Sequence, residues 1–397
     1  MIEDTIDLQA LVEVDNPYPY FDVVRDLGPL VWSQTWNMWL VAGHEDAQAL
    51  LKDPGLCRSF SDRKPLDTWE TFNWLNNKAM LDLEAPDHTR LRRALTPAFK
   101  PGAIRSLHDQ VHALSVEIVD RLVVKLNESE EVDLIAEFTT LLPVWVICSI
   151  LGVPDEERHQ IRIWSEQMVK MYEVHLTPEE ILVGQMASQS LADFFGDLAR
   201  SRRSTPQDDL ISRLVDMEET FVDDRELIAN IVLLLNGGTG ALINGLGTGL
   251  TQMLQQPQIW QDFCLNHDTI TATTVEEIFR FDAPLQLFER FAIDDVDYRG
   301  HQVKRGEKVG LLLGAANRDP RKFLHPNDFN MRRSPNPHLS FSGGNHFCLG
   351  APLARLEAQE ALPVLARALP QLTLAAEPQR TPGLMVRGYE RILVSRA

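Results

Sequence analysis

From Asp223 to Gln256 the chain holds a helical pattern that Pro257 stops, with Asp223 and Asp224 in its first turn, where the helix dipole favours acids. Its segment Ile231 to Leu235 is apolar on every side, so a helix there has no solvent face and must cross a protein interior. A chain containing such an element folds as a helical body around it. Apolar residues also recur at three- and four-residue intervals, without internal proline, over Pro86 to Leu95, Gln110 to Leu126, Pro154 to Tyr172 and Pro178 to Arg203.

Strand patterns are short and lie in two places. Leu30-Val31-Trp32 and Met38 to Val41 stand near the start; Phe291 to Tyr298, His301 to Val303 and Lys308 to Leu313 follow Pro284. Arg299-Gly300 and Arg305-Gly306 supply turns between the later segments and predict a small antiparallel meander. No solenoid-period repeat or Gly/Ser linker interrupts the sequence. Residues 1–397 are therefore expected to form a single domain, mainly α with small antiparallel β-sheets.

Charge narrows the partners. Lys and Arg number 38 against 57 Asp and Glu, a net of −19, which repels phosphate backbones and anionic lipid heads and argues against nucleic-acid or membrane partners. Met1 to Asp7 carries three acids and no cation, unlike an export signal, and the strongly apolar run Leu141 to Val153 spans 13 residues, too few to cross a bilayer at about 20. A cytoplasmic location is expected. The four cysteines, at 57, 148, 264 and 348, form no CxxC pair and are read singly.

Cys348 ends the run Phe341-Ser342-Gly343-Gly344-Asn345-His346-Phe347 and precedes Leu349-Gly350 and a helix with Pro352 in its first turn. Paired glycines let the backbone turn tightly and approach a flat ligand, while the helix dipole favours thiolate over thiol. A lone cysteine is most often a small buried hydrophobe. Here the spacing of Phe341, Gly344, His346, Cys348 and Gly350 resembles the haem-binding signature of the cytochromes P-450, with Ser342 where that family often has glycine.

The resemblance runs through the whole chain. It implies the cytochrome P-450 fold and haem b (iron protoporphyrin IX), with Cys348 as the metal ligand and Phe341 and Gly350 in the cofactor-binding loop. Glu277 and Arg280 match the family's Glu-x-x-Arg helix, and Arg333 is expected to complete a buried three-residue ion network. His88 and Arg92 share one face of a segment that resembles the family helix flanking the haem; with Arg290, His346 and His338 they match positions that hold its propionates. Between His88 and His108 lie Arg90, Arg92, Arg93, Lys100 and Arg105 and no acid, a reversal of sign that suits docking of an acidic ferredoxin or flavoprotein electron donor.

The central helix departs from the family pattern. With Gly237-Gly238 on the usual Ala/Gly-Gly pair, Gly240 falls where an acid is usual and Ala241 where an alcohol is usual, and neither relays protons. Thr239 or ordered water, a polar group on the substrate, or peroxide in place of dioxygen are three ways around that deficit. Gly237, Gly238, Gly240, Gly245, Gly247 and Gly249 each cost about 1 kcal/mol in a helix relative to alanine, which close passage over a flat cofactor would offset. A phosphate loop is excluded by the missing Gly-Lys-Ser/Thr ending.

Trp69, Trp74, Leu234, Gly237, Leu285 and Phe288 occupy stretches that line the substrate pocket in this family, and the two tryptophans suit an aromatic substrate or simply loop packing. The expected activity is monooxygenation of a small organic molecule, aromatic in one reading of the tryptophans, in specialised metabolism. Oxidative coupling, cyclisation or peroxide-driven oxidation is the alternative outcome, and a haem protein that binds a ligand without turning it over is the alternative class.

Overall fold

The computed structural model describes residues 14–173, 176–217, 220–381, 383 and 385–396; the acidic stretch Met1 to Asp7 lies outside them. Helices form where the spacing predicts them. The central helix is Asp224–Gln255, and Asp87–Leu95, His108–Glu128, Arg158–Lys170 and Pro178–Ser204 match the other four patterns to within a turn. The last of these begins at a reciprocal cap. Thr177 Oγ1 accepts from the Glu180 amide at 3.2 Å and the Glu180 carboxylate accepts from the Thr177 amide at 2.8 Å, satisfying N–H groups that a helix start leaves open.

The chain sorts into two compact units, and the central helix gives its residues up to Gly240 to one and those from Ala241 to the other. The first unit comprises the chain to Cys57, Asp109–Leu141 and everything from Ala241, and it holds the sheets. Its largest sheet has five strands in the order Val31–Ser33, Met38–Val41, Lys308–Leu312, Leu287–Ala292 and Leu56–Cys57. Val41, Leu50, Leu56, Val309, Leu311 and Leu339 fill the core on one side of it.

Two strand expectations need correction. Met38–Val41 and Lys308–Leu312 pair parallel, whereas the other sheet pairings are antiparallel; a parallel pair needs a long crossover, and the intervening chain provides one. The stretch Phe291 to Tyr298 is two strands rather than one. Leu287–Ala292 pairs with Lys308–Leu312, and Val296–Tyr298 forms a separate hairpin with His301–Val303. Asp295 causes the break by turning to accept from the Arg305 amide at 3.0 Å and from Lys304 Nζ at 2.9 Å.

The second unit, Arg58–His108 and Leu142–Gly240, is helical. Its close pair is Arg158–Lys170 against Pro178–Ser204, where a side chain at Gly184 would stand 2.0 Å from Met171 Sδ. The apolar run Leu141 to Val153 gives the helix Leu141–Leu151, buried along most of its length. Among the described residues the central helix is the one long and apolar enough to cross a membrane, a test that its length passes and the 13-residue run does not. Ile231, Leu235, Leu246 and Leu250 on it are fully buried in protein.

Its glycines divide by what they face. An added Cβ would lie 2.4 Å from Ile278 at Gly249, 2.8 Å from Ile135 at Gly247, 3.2 Å from Phe279 at Gly245 and 3.2 Å from Ile147 at Gly238. These four permit close packing of protein on protein, which corrects the expectation that the whole series passes over a cofactor. Gly237 and Gly240 face open space, with nothing within 4 Å. Gly249→Ala is therefore expected to destabilise by about 1–3 kcal/mol through overpacking, and Gly237→Ala to stabilise by up to about 1 kcal/mol. Denaturant midpoints of the two variants check the opposite signs.

Candidate functional site

The helix Pro257–Phe281 carries Glu276 and Glu277 in its last two turns, and these adjacent carboxylates do different work. Glu277 and Arg280 are fully buried, one helical turn apart, and joined by two bonds of 2.7 and 2.8 Å. Arg333 Nε reaches the same carboxylate at 3.0 Å, as do Asn336 Nδ2 at 3.1 Å and the Asn330 amide at 2.8 Å. The remaining guanidinium donors end on carbonyls: Arg280 on Asn317, Pro326 and Asp328, Arg333 on Leu324, His325 and Asp328. The expected ion network is thus present and saturated with hydrogen bonds, the condition under which buried charge is tolerated. It fixes the segment that leads into the cysteine loop.

Glu276 holds the loop itself. It accepts from Arg355 Nε and Nη2 at 2.6 and 2.8 Å and lies 3.1 Å from His338 Nε2. The Phe341 ring is enclosed by this arrangement, with Arg355 over it at 4.4 Å and the His338 and Phe279 rings at 5.6 and 4.8 Å. Asn317 adds a second tie. Its side chain accepts from the Leu339 amide and donates to Ser340 Oγ, both at 2.7 Å. His338 is therefore spent in the clamp, since its Nδ1 also takes the Ser340 amide, and its assignment as a propionate ligand is corrected.

From Phe341 the backbone folds back so that the Cys348 amide donates to the Phe341 carbonyl at 2.9 Å. Gly344 has φ +65°, and a Cβ there would stand 2.6 Å from the Leu51 carbonyl, so no other residue fits. Ser342 has φ 60°, a left-handed position that explains why a glycine suits it better. His346 is half-buried in the turn Gly344–His346, and Cys348 is half-buried before Gly350, the cap of the helix Ala351–Ala368. In the same unit Arg290 is buried in its strand, stacked on Phe288 at 4.7 Å and donating to the Glu289 carbonyl at 3.1 Å.

The helical unit carries the other candidates. His88 is buried on the helix Asp87–Leu95 and Arg92 half-buried one turn on; burial, then the Arg92 charge, holds the imidazole below its ordinary pKa. Arg90 points elsewhere, grips Glu226 with two 2.8 Å bonds and pairs with Asp87 at 2.8 Å, so it is removed from the expected docking patch. Arg93, Lys100 and Arg105 stay exposed. Thr239 is buried, and its hydroxyl donates to the Asn236 carbonyl at 3.2 Å.

Trp69 is buried against Phe72 at 5.6 Å with Arg63 over it at 4.9 Å, and Trp74 lies under Arg225 at 5.4 Å, so both rings are engaged within the fold. Leu234 is buried, and Leu285 and Phe288 are half-buried. Glu276 and Arg355 were not legible as site residues. The one hint was their charge beside motifs already singled out, Glu276 next to Glu277 and Arg355 seven residues after Cys348.

The residues present fit haem: Cys348 is half-buried just before the start of the helix Ala351–Ala368, where the dipole favours the thiolate that an iron porphyrin would take as ligand.

Burial alone would raise the Glu276 pKa, but its bonds to Arg355 and then His338 outweigh this and bring it to about 2. Its folded pKa lies below the ordinary 4.5, so the clamp's contribution is complete above pH 4.5 and lost as pH falls toward about 2. Glu276→Gln should cost about 2–4 kcal/mol at neutral pH, with the difference from wild type shrinking across that acid window. Urea midpoints measured at stepped pH values test this.

The family model described as cytochrome P450 matches residues 260–382, which include the ion network and the cysteine loop. The chain is 34% identical to the polyketide biosynthesis cytochrome P450 PksS of Bacillus subtilis, covering 96% of both chains. It is 35% identical to the biotin biosynthesis cytochrome P450 of the same organism, covering 91% of each. Among solved structures, P450BioI in complex with hexadec-9Z-enoic acid ligated acyl carrier protein superposes with a TM-score of 0.90 at 31% identity, over 98% of this chain and 100% of that one.

Proposed function

The chain belongs to the cytochrome P-450 family, haem b oxidoreductases of the monooxygenase type, and from that premise we propose that it oxidises a small hydrophobic molecule in specialised metabolism, with protons its own central helix does not supply. The observation that carries the reading is the clamped loop, which has one thiol beside a helix start while Asn317 holds its backbone and Glu276, through Arg355 and His338, encloses its Phe341 ring. Residues 1–397 act as one functional domain in this reading.

Cys348 would bond the iron, with Phe341 and Gly350 shaping the loop beneath the ring. Arg290, Arg92, His346 and His88 would take the propionates; a buried guanidinium such as Arg290 is suited to a carboxylate it can meet with two N–H groups. Bound haem supplies the activation of dioxygen and the oxidising chemistry. The chain contributes orientation and the exclusion of water. Leu234, Leu285 and Phe288 offer apolar surface to the substrate, and the bare faces of Gly237 and Gly240 widen the space beside the helix.

Proton supply is the atypical feature. Gly240 and Ala241 have no titratable group, and the Thr239 hydroxyl is committed to a carbonyl, so water or a polar group of the substrate itself brings the proton. This favours a second outcome, oxidative coupling, cyclisation or peroxide-driven oxidation, in which no oxygen atom from dioxygen need enter the product. An aromatic substrate is compatible with the site; relatives named for polyketide and biotin biosynthesis support acyl-chain compounds equally. Arg93, Lys100 and Arg105, with Arg92 at the edge, would meet an acidic ferredoxin or flavoprotein, in the cytoplasm and away from nucleic acid and membrane.

Cys348→Ala is expected to abolish the thiolate-type absorption of the ferrous carbonyl complex; an unchanged spectrum would refute the ligand assignment. Ala241→Thr should raise the fraction of electrons recovered in product if proton delivery limits turnover. Product mass, read alongside, separates oxygen insertion from coupling.

A further inference from the structure

Asp282 to Gln286 connect the helix Pro257–Phe281 to the strand Leu287–Ala292, and this connector meets a segment near the end of the chain. The Gln286 amide donates to the Met385 carbonyl at 3.2 Å and the Arg387 amide to the Pro284 carbonyl at 2.8 Å, which makes Leu285 and Val386 an opposed antiparallel pair. The pair lies between the two bonds rather than making them, the arrangement in which facing side chains stand closest. Neighbours in extended chain point to opposite sides. Gln286 and Arg387 both turn to Asp282, so Leu285 and Val386 share the other side, where both are half-buried.

Asp282 is buried and collects donors from four places. Its Oδ1 accepts from Tyr18 Oη at 2.7 Å, Arg387 Nε at 2.8 Å and Gln286 Nε2 at 3.1 Å, and its Oδ2 accepts from Arg380 Nη1 at 3.0 Å. Burial alone would raise its pKa, but Arg387, then Arg380 and Arg318, hold it below the ordinary carboxylate value. Gln286 is the costly member of this knot. Its Nε2 also meets the Ala283 carbonyl at 2.8 Å, but its Oε1 is buried with no partner among the described residues, and it fits only because position 314 is glycine, where any Cβ would collide with it. An orphaned buried oxygen is expensive, and an apolar side chain of the same length would avoid it. What the amide provides in return is a tie from the connector carrying Leu285 to the carboxylate that also holds the segment carrying Val386.

We infer that Gln286 is a positioning residue for substrate selection: through Asp282 it fixes Leu285 against Val386, and with it the apolar surface that Leu285 offers the substrate. The inference rests on the proposed role of Leu285 and adds what holds that side chain in place. In a pair of this type Leu285 gives neither its amide nor its carbonyl to the facing segment, so the ties on either side of it decide where its side chain stands. One of those ties is the Arg387 amide on Pro284, and the other is Gln286, by its backbone to Met385 and by its side chain to Asp282.

The test is spectral titration of the purified haem-loaded protein with imidazole and with 4-phenylimidazole. Both bind the haem iron through a ring nitrogen, and only the second carries an apolar group that extends to the surrounding side chains. Gln286→Met keeps the length of the side chain and removes its tie to Asp282. It is expected to weaken 4-phenylimidazole about fivefold or more with imidazole affinity unchanged, the size of effect a lost methylene-sized contact produces. Arg387→Lys, which keeps a donor and alters its reach, should act in the same sense, and it is read by the same criteria if Gln286→Met does not yield haem-loaded protein. Tyr18→Phe, which leaves the Gln286 and Arg387 bonds to Asp282 in place, should keep the wild-type ratio of the two affinities. An unchanged ratio in Gln286→Met, equal weakening of both probes, or the same loss in Tyr18→Phe would each overturn the inference. Leu285→Ala separates this from the reading beneath it: if that variant weakens 4-phenylimidazole and Gln286→Met does not, Leu285 keeps its role and the positioning role fails, whereas no effect of Leu285→Ala removes both. Neither probe is turned over, so failure of the oxidase reading, seen as absent product, is read separately.

Discussion

Two neighbouring carboxylates at the end of one helix organise the part of the molecule that matters for chemistry. Glu277 is sealed among Arg280, Arg333 and Asn336, and Glu276 binds Arg355 and His338. Removing charge from water is costly, and both sites meet the cost by giving nearly every donor a partner. The result is directional as well as stable. Glu277 fixes the approach to the loop, Glu276 fixes the Phe341 ring, and the position of Cys348 follows from the Phe341 carbonyl that takes its amide. The Cys348 thiol is thus positioned by a backbone bond to a residue whose ring is itself clamped.

How much of this was legible in the sequence depended on the range of the interaction. Helix spacing is local, and Asp224–Gln255 and Pro178–Ser204 fall almost where the apolar pattern places them. The Glu277–Arg280 pair is likewise one turn of one helix. The parallel pairing of Met38–Val41 with Lys308–Leu312 joins segments far apart in the chain, and local pattern carries no trace of it. The split of Phe291 to Tyr298 turned on Asp295, whose preference for the Arg305 amide over a strand position is a tertiary choice. Glu276 and Arg355 belong to the same class: the residue types were visible, but their meeting over Phe341 required the fold.

Residue type also misled where a side chain had two uses. Arg90 sits in a run of cations without acids, yet Glu226 lies against it and neutralises it. His338 stands beside a haem-type motif and is consumed within it. In both cases the sequence reports net charge along the chain, whereas function depends on charge left over after folding. Arg93, Lys100 and Arg105 remain in the docking proposal because they are exposed.

The central helix makes the same distinction with glycine. Gly245, Gly247 and Gly249 are there because Phe279, Ile135 and Ile278 approach closely, and they would be needed whatever the enzyme oxidised. Gly237 and Gly240 have no such neighbour, so packing does not account for their helix cost of about 1 kcal/mol each. As proposed above, those two bare faces leave room for substrate, and Gly240 stands where the family pattern has an acid. In the reading proposed here, room for substrate and supply of protons are therefore a single exchange: a ligand large enough to use the bare face must also bring, or admit with water, the proton that the helix no longer donates. That couples the identity of the substrate to the course of the reaction, because a molecule lacking a polar group at that face would leave the oxidant to find an outcome that needs no proton.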